Sequence, residues 1–508
     1  LRLLYARASR GLAAANSTDS SLTAVTPFFH PFRKGEFVRD GLCLSTTPSG
    51  NARHPSKEGN FKRRLHMKKY ELLAPAGDIE KLKAAFHFGA DACYFAGKKW
   101  GLRAFSANFE RDELADSIAH AHAIGKKAYI TVNIQAHNKD FEGLSDYILE
   151  LEKAGADAVI VSDAGVLSLI KQVAPKLPVH LSTQACASNK YAVRFWHEAG
   201  AKRVILAREL TVAEIAEIHA YVPEVELEVF VHGAMCISYS GRCLLSNYLA
   251  GRDSNRGECV QSCRWEYSIT EKSRPGQHLE IQEDNRGTYI LNSKDLCLIQ
   301  HLDKLAAAGA TSFKIEGRMK SAYYVASVTN AYRRALDLLE KGKFKPKADW
   351  LTELNKSSNR TFTTGFMLGS EECRQNSPLL REGVDAAERE AKQGRRGSRA
   401  ASEDGVCSET TINLDDALPH TTHDFVAVVL EETGKDGFTL IEQRNRFKTG
   451  ETLEVLSSGS NHNKNFVVGE MKRENGEPIT DALRVQEKLY IKLGFKLKPM
   501  DMLRKQTQ

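Results

Sequence analysis

The sequence predicts an α/β chain: a (β/α)8 TIM-like barrel with a cysteine-rich insertion after its seventh strand, followed by a small C-terminal antiparallel β-barrel. Three observations predict it. Short apolar runs alternate with helix-like patterns until eight strands are counted between residues 71 and 316, the rhythm of a parallel barrel. Five of the ten cysteines fall in the 62 residues from Cys236 to Cys297, just past the seventh strand. After Asp424 the helical spacing gives way to two-residue alternation broken by turn signals, as in F-V-A-V-V-L, F-T-L-I-E-Q-R and K-L-Y-I-K-L, the mark of a small antiparallel barrel.

The elements follow in order. Glu71-Leu72-Leu73-Ala74 is the first strand, and Asp78 is placed to cap a helix with Leu82, Ala85 and Phe86 on one face. Strands are expected at Ala92–Ala96, Lys127–Asn133, Ala158–Ser162, Val179–Thr183, Arg203–Ala207 and Leu227–Val231. Helical patterns lie between them at Glu113–Ile124, Phe141–Ala154, Tyr191–Ala199 and Thr211–Tyr221. A glycine such as Gly155 or Gly200 closes a helix just before the next apolar run, the C-terminal signal ahead of a buried parallel strand. The eighth strand is Ser312–Glu316, and a helix over Ser321–Lys341 would pack on the core. An open doubly wound sheet is the alternative. The barrel is preferred because the count reaches eight and no G-x-G-x-x-G follows the first strand.

The flanks read differently. Residues 1–66 carry eleven Lys/Arg against four Asp/Glu without a sustained amphipathic pattern, so they are read as a disordered extension. Their acid-free opening L-R-L-L-Y-A-R-A-S-R-G-L is similar to an organelle transit peptide, while Met67-Lys68-Lys69-Tyr70 reads as a natural start. The expected location is accordingly cytoplasmic, or an organelle if the extension is a leader. The barrel domain is assigned to 67–345 with its insertion at 233–311, a partly disordered linker or insertion to 346–423, and the C-terminal domain to 424–508. No run approaches eighteen consecutive apolar residues, which argues against a transmembrane helix. The balance of 71 basic to 64 acidic residues, net +7, is compatible with a nucleic-acid partner. Arg444, Arg446 and Lys448 would follow a phosphate backbone or simply form a solvated strand end.

Five thiols at this density exceed what packing needs, and disulfides suit small secreted domains. A metal or cluster is the preferred reading, with disulfides or buried unligated thiols as the alternatives. The order Cys236-x6-Cys243-x15-Cys259-x3-Cys263, with Cys297 later, lacks the paired C-x2-C knuckles of a zinc ribbon. Four soft thiolates are enough for one [4Fe–4S] cluster. Arg242, Arg256 and Arg264 would offset its negative charge. In a barrel the catalytic groups end the strands. Arg103 and Asn108 follow the second, Asn133 and Gln135 end the third, and Asp163 the fourth. Ser182, Thr183 and Gln184 end the fifth, Glu209 follows the sixth, His232 ends the seventh, and Glu316-Gly317-Arg318 the eighth. Arg103 and Arg318 become neighbours if the barrel closes, and arginine forks suit carboxylates. No HExxH and no G-x-S-x-G elbow is present, so hydrolase chemistry gains nothing from motifs.

E-V-F-V-H-G-A-M-C-I-S-Y-S-G-R-C-L-L-S resembles the signature of the collagenase-like peptidase family U32. E-L-L-A-P-A-G-D, R-G-E-C-V-Q-S-C-R-W, N-S-K-D-L-C, K-I-E-G-R-M-K-S, I-E-Q-R-N-R-F and K-P-M-D-M-L-R-K fit the same family. The resemblance covers about 68–370 and 423–505. It implies either a peptidase or, in the branch most similar to this chain, prephenate-dependent hydroxylation of the wobble uridine of tRNA to 5-hydroxyuridine. Other branches hydroxylate a ribosomal cytidine or a quinone precursor. It also implies a [4Fe–4S] cluster on Cys236, Cys243 and Cys259, with Cys263 or Cys297 as fourth ligand. Prephenate would be held by Arg103 and Arg318, with His232 and Glu316 as further candidate catalytic groups.

Overall fold

Eight parallel strands close into a ring. The protein's structure is a computed structural model that describes residues 69–102, 108–236, 238–265, 293–369 and 420–507, with backbone fragments at 283–284 and 287–288. The ring begins with β1 (Glu71–Pro75), β2 (Ala92–Phe95), β3 (Lys127–Val132), β4 (Ala158–Val161), β5 (Val179–Leu181), β6 (Ala201–Ile205) and β7 (Glu226–Ala234). After the insertion come β8 (Asp295–Cys297) and β9 (Ala310–Ile315). Strand β9 pairs in parallel with both β7 and β1, closing the barrel.

These runs form buried strands because helices cover one face and side chains fill the lumen on the other, so almost every position is apolar. Leu72, Phe95, Ile130, Val159, Val204 and Phe313 are fully buried. Helices α1 (Ile79–His87), α2 (Arg111–Ala123), α3 (Leu144–Lys153), α4 (Ala164–Val173), α5 (Lys190–Glu198) and α6 (Val212–Tyr221) return the chain between strands. Asp78 caps α1 by accepting from the Lys81 amide at 2.9 Å. Asp163 does the same for α4, from the Val166 amide at 3.0 Å. Toward the N-terminal ends of the strands, Arg203 donates to Glu226 (2.7 Å), Glu228 (3.0 Å) and Glu71, and Lys314 donates to Glu228 (2.9 Å). This buried network fills one end of the lumen and leaves chemistry to the other.

One expected boundary changes. Residues 346–369, read as the start of a linker, belong to the barrel. After α7 (Leu245–Ala250), α8 (Leu302–Ala307) and α9 (Ala322–Glu340), the short helix α10 (Ala348–Leu354) buries Trp350 and Leu354. Strand β10 (Phe362–Thr363) then pairs with β8. The remainder of the expected linker, 370–419, and the extension 1–66 lie outside the described residues. The C-terminal domain is antiparallel as expected. Among the described residues its eight-stranded sheet forms a half-barrel, since the edge strands Asn465–Val467 and Pro478–Ile479 do not pair with each other.

A shared seam joins the two domains. Ala84, Phe88, Ala322 and Ala326 pack with Val428, Leu456 and Met502. Arg504, fully buried, forks onto Glu353 at 2.8 and 3.0 Å. Arg444 is tied to Glu80 (2.7 Å) on α1 and to Glu442 (2.8 Å), and Arg446 to Asp481 (2.6 Å). Two of the three side chains considered for a phosphate backbone are therefore already paired with carboxylates. No helix among the described residues is long and apolar enough to cross a membrane.

Candidate active site

A cavity of about 440 Å³ lies at the C-terminal ends of the barrel strands, under the insertion. Its floor comes from strand ends: Gln184 after β5, Arg208 after β6, Met235 after β7, and Glu316 after β9. Its walls carry Cys236, Cys243, Cys259 and Cys263. The chain reaches this place through a turn that only glycine permits. At Gly233 (φ +109°) an added Cβ would stand 2.5 Å from the Glu316 carbonyl oxygen, and at Gly241 (φ +72°) one would stand 2.1 Å from that of Gln184. Both contacts press the cysteine segment onto the barrel mouth.

The insertion is pinned by charge and backbone together. Arg256 donates two parallel bonds to Asp140 (2.6 and 2.9 Å) and a third to the Gln135 carbonyl (2.7 Å). The Gln135 amide donates to the Asn255 carbonyl at 3.0 Å. The Arg256 fork holds the Asp140 carboxyl well below its usual range, at about 2. Asn255 Nδ2 and Ser254 Oγ both donate to the Cys243 carbonyl, at 3.0 and 2.8 Å.

The four thiols share one electrostatic environment. Burial pushes Cys263 up to about 11; nearby Arg264 opposes this, while Cys236, Cys259 and Cys243 add to it. Burial also pushes Cys243 upward. Hydrogen bonds from Ser238 and from the Leu245 and Ser246 amides outweigh that effect and hold it below the ordinary thiol range. The Gln261 amide donates to Cys259 Sγ at 3.4 Å. Four soft sulfurs, amides aimed at sulfur, and Arg264 beside them fit a [4Fe–4S] cluster. No three His, Cys, Asp or Glu side chains among the described residues converge closely enough to hold a single metal ion.

Cys297 stands elsewhere. Strand β8 returns antiparallel to β7 and sets Cys297 opposite His232. Its thiol, 3.8 Å from the Tyr332 hydroxyl, is buried and pushed up to about 11. His232 is 1% exposed and ringed by Tyr324, Tyr332 and Phe362. Burial pushes its imidazole down to about 3, against the pull of Asp295. The Tyr332 hydroxyl lies 3.4 Å from its Nδ1 and donates to the Val231 carbonyl at 2.7 Å. Neither residue lines the cavity. The catalytic place considered for His232 is thus a packed aromatic cage.

Arg318 is also turned away from the cavity. It is 3% exposed and donates to Thr131 Oγ1 (3.2 Å) and Asn108 Oδ1 (2.5 Å). Arg103 lies outside the described residues, so the expected Arg103–Arg318 pair has only one member in view. Asn133 braces neighbouring loops, accepting from the Leu102 amide (3.2 Å) and donating to Ser182 Oγ (3.3 Å). Glu316 does reach the cavity, with the Tyr94 hydroxyl 3.5 Å from its Oε2.

Sequence reasoning missed Arg360, Lys320 and Asp295. Arg360 is 7% exposed, and its amide and Nη1 donate to Asp295 at 3.1 and 3.3 Å. Lys320 donates to the Ser358 carbonyl at 3.0 Å, and burial holds it below the ordinary lysine range against the pull of Asp295. The signal for Asp295 and Lys320 was their place inside the motifs N-S-K-D-L-C and K-I-E-G-R-M-K-S; Arg360 had none.

A family profile described as Peptidase family U32 matches residues 77–377, and one described as Peptidase family U32 C-terminal domain matches residues 421–504. The chain belongs to peptidase family U32. Within that family it is similar to "tRNA hydroxylation protein P1" of Bacillus subtilis (strain 168), 38% identical over 445 residues, 87% of this chain and 96% of that one. It is similar to "tRNA hydroxylation protein P" of Escherichia coli (strain K12), 40% identical over 340 residues, 59% of this chain and 75% of that one. It is also similar to the "Collagenase" of Porphyromonas gingivalis, 34% identical over 318 residues, 60% of this chain and 75% of that one. Family U32 thus spans names from two reaction classes, and the site must decide between them.

Proposed function

We propose that this chain is a tRNA-modifying enzyme that hydroxylates the wobble uridine to 5-hydroxyuridine, with prephenate as a required small molecule and a [4Fe–4S] cluster on Cys236, Cys243, Cys259 and Cys263. The observation that carries this reading is the gathering of those four thiols on one cavity at the barrel mouth. Replacing C5–H by C5–OH is a two-electron oxidation that needs an external oxidant and an oxygen donor; a bound cluster would relay electrons to that oxidant, redox chemistry that peptide hydrolysis does not need. The chain's own groups would do the rest. Amides and hydroxyls around Cys243 favour its thiolate. Among the described residues, Glu316 is the carboxylate that lines the cavity and is the candidate acid–base group.

The rim supports an RNA partner. Tyr239, Tyr248 and Trp265 are 57%, 88% and 41% exposed, and Arg242 between them is also exposed. Exposed aromatics interleaved with arginine suit unstacked bases in a single-stranded loop, where a target base must be splayed out for chemistry. A cysteine peptidase would need a histidine within reach of its nucleophile. Among the described residues, no histidine lines this cavity.

The test is mass spectrometry of tRNA nucleosides from a strain lacking the gene, with and without this chain restored. Restored 5-hydroxyuridine supports the reading. Unchanged 5-hydroxyuridine in the deletion, or a change in ribosomal 5-hydroxycytidine alone, refutes it. Cleavage of gelatin by the purified protein, lost in Cys259→Ser, would favour the peptidase reading.

A further inference from the structure

The thiols occupy only part of the cavity. Arg264, Lys320 and Arg360 line it as well, from three separate segments. Asp295, 1% exposed, is a buried carboxylate behind them, tied to Arg360, and Glu316 is the acid among the described residues that line the cavity. Arg264 donates to the Gln261 side chain at 2.6 Å. Arg360 Nε is buried and has no hydrogen-bond partner, as is true of the Nε atoms of Arg318 and Arg444, but of the three residues only Arg360 lines the cavity; its guanidinium is anchored to Asp295 through Nη1. A buried N–H without an acceptor is rare and calls for an explanation. A guanidinium presenting Nε–H beside a second cation offers the fork that a planar carboxylate fills.

We propose that Arg360, Lys320 and Arg264 form a carboxylate site that seats a small organic acid in the cavity beside the four thiols. The identity of the acid as prephenate rests on the function proposed above; the site itself rests on geometry. A volume of about 440 Å³ admits a molecule of metabolite size. Arg360 is too deeply buried to serve a phosphate of an RNA strand passing over the surface, a task that suits the exposed Arg242 at the rim. This site differs from the pair Arg103 and Arg318: Arg360 lines the cavity beside the thiols, whereas Arg318 does not.

The test is titration calorimetry of prephenate into the anaerobically purified full-length protein, with iron content and melting temperature measured on every variant. Arg360→Gln, Arg360→Lys and Lys320→Gln should each bind at least tenfold more weakly while keeping wild-type iron. Arg360→Lys is informative because it keeps the charge and loses Nε. Lys320→Gln covers the case in which the buried Arg360 variants fail to fold. Inorganic phosphate at equal concentration should not displace prephenate. Equal binding by all variants overturns the site, as does loss of binding only in step with loss of iron, or displacement by phosphate. If the wild type makes 5-hydroxyuridine yet the variants bind normally, the site falls and the hydroxylase reading stands. If binding follows these residues but no 5-hydroxyuridine forms, the site stands and that reading falls.

Discussion

Arg256→Ala should loosen the cysteine insertion without unfolding the barrel. The side chain makes two bonds to Asp140, at 2.6 and 2.9 Å, and one to the Gln135 carbonyl at 2.7 Å. Charge-assisted hydrogen bonds contribute about 1.5–3 kcal/mol each when buried. Here the two side chains keep 23% and 14% of their exposure, so screening trims the gain. About 2 kcal/mol for the whole fork is a fair figure, and it shifts the docked-to-undocked ratio of the insertion about 30-fold. Arg256→Lys should lose much of this too, because an ammonium cannot make the paired contact. The assay is amide hydrogen exchange of the anaerobic protein. Residues 239–265 should exchange more than tenfold faster in Arg256→Ala, strands β1 to β4 should be unchanged, and bound iron should fall. Unaltered exchange in that segment together with full iron would refute the reasoning.

Cys263→Ser should lose iron, whereas Cys297→Ser should keep it, because the Cys297 thiol faces Tyr332 and His232 instead of the cavity; metal analysis of the two proteins checks this. The buried neutral His232 makes the fold acid-sensitive. Its folded value of about 3 lies below the unfolded value near 6.5, so the unfolded chain binds the extra proton. That stability is full above about pH 6.5 and falls as pH drops toward 3, by up to about 1.4 kcal/mol per pH unit. Melting curves should show a steeper acid slope for the wild type than for His232→Gln. Gly241→Ala should lower both the melting temperature and the iron content, since its methyl would meet the Gln184 carbonyl.

The barrel was legible because strands buried on both faces read as continuous apolar runs, and each expected strand overlaps an observed one. Helix α4 was harder to see. Asp163 looked like a functional group at a strand end, and only the Val166 amide at 3.0 Å reveals it as a cap. The cysteines were legible as a group because five thiols at that density have few structural uses. Their division was not. Spacing cannot show that β8 turns back along β7 and carries Cys297 into an aromatic cage. Arg360 was illegible because its meaning depends on Asp295, 65 residues earlier in the chain. It also lies within 346–423, a stretch that reads as a linker. The ion pairs of Arg444 and Arg446 were hidden for the same reason: a basic strand end looks alike whether it faces phosphate or a carboxylate on another element.

The central claim is that Cys236, Cys243, Cys259 and Cys263 hold a redox cluster over the barrel mouth. Iron, zinc and acid-labile sulfide analysis of the anaerobically purified protein tests it most directly, beside the visible spectrum. A brown protein with roughly four irons and four sulfides per chain, both lost in Cys259→Ser, is the predicted result. A colourless protein with stoichiometric zinc and no iron would contradict the account.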